Sequence, residues 1–162
     1  MTQKKQKKPQ HLFPILFFCL TSTIWGVTNY VSFSGSHTPP FTSWASAATN
    51  IQSAIDVASN GDTVLVTNGT YSTGGVAVSF YVTNRIAITK PITVRSVNGS
   101  AFTVIEGQGP LGSNAVRCAY MTNGATLIGF TLTNGFSQAS GWTGENGRGG
   151  GLWCEPNATV SN

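Results

Sequence analysis

At 162 residues the chain has the length of one domain, and with 9% charged and 40% hydrophobic residues it is neither a disordered polyelectrolyte nor a coiled coil, both of which need far more Glu and Lys. The formal charge is +4, but Lys4, Lys5, Lys7 and Lys8 are four of the nine bases, so past residue 10 five bases face five acids. No basic patch is left for phosphate-driven contact, and no nucleic-acid partner is expected.

The four lysines precede an apolar run from Leu12 to Trp25, followed by the small residue Gly26. This reads as a secretory signal peptide over residues 1–26, cut between Thr23 and Gly26, with an uncleaved anchor as the competing reading. The run is shorter than the ~20 residues that a bilayer-spanning helix needs and contains Pro14, so no stable membrane span is expected in the mature part. Phe18 stands before Cys19 where a lipid-acceptor cysteine would follow a small residue. The expected product is secreted or held at the cell surface and keeps two cysteines, Cys118 and Cys154.

Residues 27–44 read as a leading strand and turn, broken by Gly35, Pro39 and Pro40. Residues 45–61 read as a capping helix: Ala48, Ile51, Ala54, Ile55 and Ala58 recur at spacings of three and four between Ala45 and Ser59. Ser43 is available as its N-cap, and Gly61 suits the residue past its end. Residues 62–162 change period. Thr63–Thr67 ends at Asn68-Gly69, Ile92–Val97 at Asn98-Gly99, Val116–Met121 at Asn123-Gly124 and Leu127–Thr133 at Asn134-Gly135, each a Val-, Ile- or Thr-rich run closed by a turn signal. Longer units repeat as well. Gly124-Ala125-Thr126-Leu127 echoes Asn157-Ala158-Thr159-Val160 at an offset of 33, and Ala115-Val116-Arg117-Cys118 echoes Gly151-Leu152-Trp153-Cys154 at 36.

Repeats at 20 to 50 residues signal stacked coils. Each coil would place its strands about 4.8 Å above the last, with Val, Ile and Leu inward and corner Asn side chains bonding one another or the backbone. The amphipathic helix would cover the open first coil. The sequence stops at Asn162, just after a strand begins and without a polar capping segment, so the C-terminal coils are expected to be missing.

Asn50-Ile51-Gln52-Ser53-Ala54-Ile55-Asp56, then Gly61-Asp62-Thr63-Val64-Leu65-Val66 and Gly69-Thr70-Tyr71, resemble the N-terminal cap and first coil of right-handed parallel β-helix proteins of the pectin-lyase-like superfamily. The run Gly124–Gly135 and the segment Gly149-Gly150-Gly151-Leu152-Trp153-Cys154 are similar to the coils of secreted bacterial β-helix repeat proteins, some with a C-terminal anchor. The resemblance spans about Phe41 to Asn162. It implies an all-β, right-handed parallel β-helix, a solenoid. It leaves function open, because the fold carries polysaccharide lyases, glycosidases, adhesins and tailspikes alike. Two readings therefore stand: binding or structural display toward a polysaccharide or cell surface, and the N-terminal part of a lyase or glycosidase whose active site lies past residue 162.

Among the candidate residues, Glu106 and Glu155 are the acids expected on or beside the coils, and Arg95 and Arg117 the nearest bases. Glu106, Arg117 and Trp142 are the candidate ligand-binding set. Trp142 sits in the loop Gly135–Gly151 and is suited to stacking on a sugar ring, with a ring folded back on the coil below as the alternative. Structural pairing is the competing role for the two charged residues. No catalytic set is visible. Cys118 and Cys154 hold similar places in successive coils, which makes a disulfide one reading and stacked free thiols the other. Gly107-Gln108-Gly109-Pro110-Leu111-Gly112 matches the dinucleotide glycine pattern but opens no helix, and no Cys or His set has ligand spacing. No cofactor and no metal are expected.

Overall fold

The computed structural model describes residues 26–78, 82–138, 147 and 149–162. Strand β1 (Thr28–Val31) and one short helix, α1 (Ile51–Val57), lead the chain. The first turn follows as β2 (Thr63–Val66), β3 (Gly69–Tyr71), β4 (Val76–Ala77) and β5 (Thr83–Ile88). The second comprises β6 (Thr93–Ser96), β7 (Thr103–Glu106) and β8 (Val116–Met121), and the third β9 (Thr126–Ile128), β10 (Thr131–Thr133) and β11 (Leu152–Cys154). β12 (Thr159–Ser161) opens another. Among the described residues hairpin pairing of strands along the chain is confined to β4 with β5. The other strands stack from turn to turn, which gives three sheets, β1-β2-β6-β9-β12, β3-β7-β10 and β4-β5-β8-β11. Only β4 with β5 is antiparallel. The protein is a parallel β-solenoid of about four turns.

Alternation along each strand decides which side chains fill the interior. In the first sheet Val64, Val94 and Leu127 form one inward file, all buried. Thr28, Thr63, Thr93, Thr126 and Thr159 occupy the preceding register position in five successive strands and form an outward file. Repeated β-branched residues suit such stacking, because each packs on its twin one rung away. At one corner Asn98 Nδ2 donates to Asn68 Oδ1 at 2.8 Å, the side-chain contact expected of the recurring Asn-Gly turns. Gly99 and Gly124, with φ of +86° and +80°, take the left-handed conformation that those turns demand.

The helix is shorter than the period suggests. It starts at Ile51, not Ala45, and its N-cap is Asn50, whose Oδ1 accepts from Ser53 N at 2.8 Å; Ser43 instead closes a turn with Ser46. The reason lies at the free edge of β1. Tyr30 N donates to Phe41 O at 2.7 Å, Ala48 N to Tyr30 O at 2.9 Å and Ser32 N to Ala48 O at 2.9 Å. The stretch before α1 is thus held against β1 at Phe41 and Ala48, with a turn between them, and satisfies groups that water or another chain would otherwise meet.

The leading edge of the third sheet is closed differently. β4 pairs with Thr83 and Asn84, while the Gln52 amide takes both backbone groups of Ala87: Ala87 N donates to Oε1 at 2.8 Å, and Nε2 donates to Ala87 O at 3.3 Å. One side chain stands in for a missing strand. Lys90 Nζ then donates to Ile55 O, Asp56 O and Ala58 O at 3.0, 2.8 and 2.6 Å, the carbonyls that a helix end leaves open. Asp62 ties the exit of α1 to β1, its two oxygens accepting from Val27 N and Ser59 N, each at 2.7 Å.

Lys90→Met keeps the apolar stem but removes these bonds. It should lower unfolding stability by about 2 to 3 kcal/mol, the scale of hydrogen bonds made by a charged group. Urea unfolding followed by circular dichroism measures the change, and an unaltered midpoint would show that water caps α1 as well as the ammonium does.

Candidate functional site

The third sheet carries a kink at Cys118. Cys118 N and Ala119 N both donate to the next turn, to Gly150 O at 3.2 Å and Gly151 O at 3.1 Å. Successive amides of a regular parallel strand point to opposite neighbours, so the chain is bulged here. The bulge breaks strict alternation. Cys118 and Ala119 are both wholly buried, and Arg117 and Tyr120 both reach the Trp153 cluster.

Arg117 is 3% exposed; its Nη1 donates to Asn84 Oδ1 at 3.1 Å, and its Cζ lies 5.7 Å from the centroid of the Trp153 ring. Asn84 and Arg117 are register partners, as are Tyr120 and Trp153. Glu155 fixes the aromatic pair from one side, with Oε1 accepting from Trp153 Nε1 and Tyr120 OH, both at 3.3 Å. A cation over an indole contributes about 0.5 to 2 kcal/mol, so the ring is held on its face by Arg117 and at its edge by Glu155. Trp153, Tyr120 and Glu155 stay half-buried and accessible.

Of the residues expected to bind ligand, only Arg117 belongs to this cluster. Glu106 closes β7, and its Oε1 accepts from Asn134 Nδ2 at 2.7 Å, a bond to the next turn that gives the carboxylate a corner-holding role. Trp142 lies outside the described residues. Trp153 and Tyr120 were not singled out from the sequence as binding residues. The available signal was their spacing of 33 residues, together with Glu155 two positions beyond Trp153, just past the end of β11.

The register also corrects the alignment behind the Cys118–Cys154 bridge. β11 pairs with β8 at an offset of 33, so Cys154 lies opposite Met121 and not opposite Cys118. Cys154 Sγ sits 3.9 Å from Met121 Sδ, Cys118 Sγ donates to Thr133 O at 3.0 Å, and both thiols are free. The 36-residue echo matched similar residues at different heights. Burial pushes both thiols above their ordinary pKa, and for Cys118 the bonds to Gly107 and Thr133 act the other way.

A second buried cation lies one turn earlier. The flanking pairs put Arg85 level with Cys118. Its Nε donates to Glu106 O at 2.7 Å, Nη2 to Gly107 O at 3.3 Å and Nη1 to Gly74 O. Desolvation lowers its pKa from the usual arginine value, and Cys118 and Glu106 raise it. Among the described residues no cluster of three His, Cys, Asp or Glu could hold a metal ion, and no helix is long and apolar enough to cross a membrane.

No protein-family model matches the chain, and no curated protein or solved structure matches it either.

The two thiols differ in access. Alkylation of the native chain followed by peptide mapping should modify Cys154 and spare Cys118 until the protein unfolds, with Cys154 labelling faster as pH rises because its raised pKa limits the thiolate at neutrality. A peptide linking Cys118 to Cys154 would contradict the register.

Proposed function

We propose that this chain is an exported β-helix of the pectin-lyase-like type, right-handed, which presents the face of its third sheet to polysaccharide on a cell surface or in the surrounding matrix. The observation that carries the reading is the held indole of Trp153, with Arg117 near its face and Glu155 on its Nε1. A ring fixed before the ligand arrives loses little freedom on binding, and an amphipathic aromatic suits the apolar C–H face of a sugar. Among the described residues nothing bonds Glu155 Oε2, which leaves a strong acceptor for a sugar hydroxyl beside the ring. A solenoid repeats its surface along one axis, a geometry suited to an extended chain of like units.

The lysine-led apolar run of residues 4–25 supports export, since its length and flanks suit a leader better than a span. In this reading the chain binds or displays and does not itself cleave.

Co-sedimentation with insoluble cellulose, chitin and cross-linked pectate tests the proposal. The protein should be retained on at least one of the three, and Trp153→Ala should weaken retention by about tenfold or more, the loss of roughly 1.4 kcal/mol, with the β circular-dichroism spectrum kept at the assay temperature. Failure of the parent chain to bind any of them, or equal retention of the variant, would reject this reading.

A further inference from the structure

Arg85 is 6% exposed, and three backbone carbonyls are the hydrogen-bond partners of its guanidinium. No carboxylate of the described residues lies within ion-pair distance: Glu106 acts on it only through space, its own carboxylate being bonded to Asn134. A buried cation without an opposite charge at hand is costly, and proteins rarely keep one unless something neutralises it. Beside it lies a cleft of about 30 Å³, with Arg85 and Ile86 at the buried end, Gln52 and Tyr71 on the walls, and the exposed Thr73 and Gly74 at the mouth. That volume holds about two waters or the head of one small anion.

Three other polar side chains around the cleft are already engaged. Asn50 caps α1, Gln52 pairs with Ala87, and Tyr71 OH donates to Thr67 O at 3.1 Å. Arg85 differs. A guanidinium has five N–H donors, and its three bonds to Glu106 O, Gly107 O and Gly74 O leave one N–H on each terminal nitrogen. We infer that this cleft is a carboxylate-binding site: the acid group of a small organic acid or an acidic sugar enters past Thr73 and lies against the Nη1 and Nη2 end of Arg85. A planar carboxylate offers two acceptors to that fork, and it supplies an opposite charge that none of the described residues brings within ion-pair distance. The site lies in the first turn, two rungs from Trp153, and does not depend on the polysaccharide reading.

Titration of the full chain with acetate at constant ionic strength, followed on the Arg85 Nε–Hε resonance, tests the inference. The resonance should move saturably, while acetamide, of the same shape but uncharged, leaves it in place. Thr73→Phe narrows the mouth without touching the three carbonyl contacts and should weaken acetate binding by about tenfold or more. Arg85→Lys, which keeps the charge but loses the fork, should abolish the rise in melting temperature that acetate produces. Trp153→Ala should bind acetate as the parent does, so failure at either site is read separately. No saturation with acetate, equal saturation with acetamide, or undiminished binding by Thr73→Phe would each overturn the inference and assign the cleft to water.

Discussion

A strand in a parallel sheet is satisfied only by the strand before it and the strand after it, so a stack of coils must solve the problem of its first edge before any later coil can form. Here the solution is local and made of unlike parts. Backbone from the Phe41 to Ala48 stretch covers β1, the Gln52 side chain substitutes for a strand at Ala87, and β4 folds back on Thr83 and Asn84. Lys90 and Asp62 then fasten α1 to the strands beneath it. The helix is only seven residues long and would not persist alone. It exists because the coil holds it, and the coil is closed because the helix delivers Gln52.

Once that edge is closed, the later turns can afford irregularity in the third sheet. The bulge at Cys118 costs a regular ladder position, yet it turns Arg117 and Tyr120 toward Trp153 and sinks a thiol into the interior. Bulges commonly re-aim side chains, and this one assembles a cation, an indole, a phenol and a carboxylate from two coils. The buried Arg85 one rung earlier belongs to the same kinked column, bonded to carbonyls that end β7 and follow β3. The chemistry of this solenoid therefore collects where its regularity fails.

Much of the architecture is legible in the sequence. Asn-Gly punctuation marks the corners, Thr-Val and Thr-Leu openings mark the strands of the first sheet, and the echo of Gly124–Leu127 in Asn157–Val160 gives the true 33-residue register. What resisted reading was anything set by neighbours in space. Ala45 to Ala48 carry helical spacing, but the edge of β1 claims Ala48, and Ser36, His37 and Thr38 claim the carbonyls of Ala45, Ala47 and Ser46. Arg117-Cys118 resembles Trp153-Cys154 as text while lying three residues out of step in the stack. Glu106 looks like a free surface acid and is held by Asn134 from the following coil. Trp153 gains its partners from a bulge that no periodicity announces.

The file of five threonines has an implication for how the chain finds its order. Because every rung of the first sheet opens with the same residue, a strand docked onto the wrong coil would meet nearly the same surface, and that sheet alone distinguishes poorly among such mispairings. The discriminating contacts are the ones that occur once. Asn84 with Arg117, and Gln52 with Ala87, have no equivalents elsewhere among the described residues, and a misthreaded coil would cost the buried Arg117 its Asn84 partner and leave the Ala87 backbone without its Gln52 amide. Polar singletons thus act as address labels in a molecule whose hydrophobic text is repetitive.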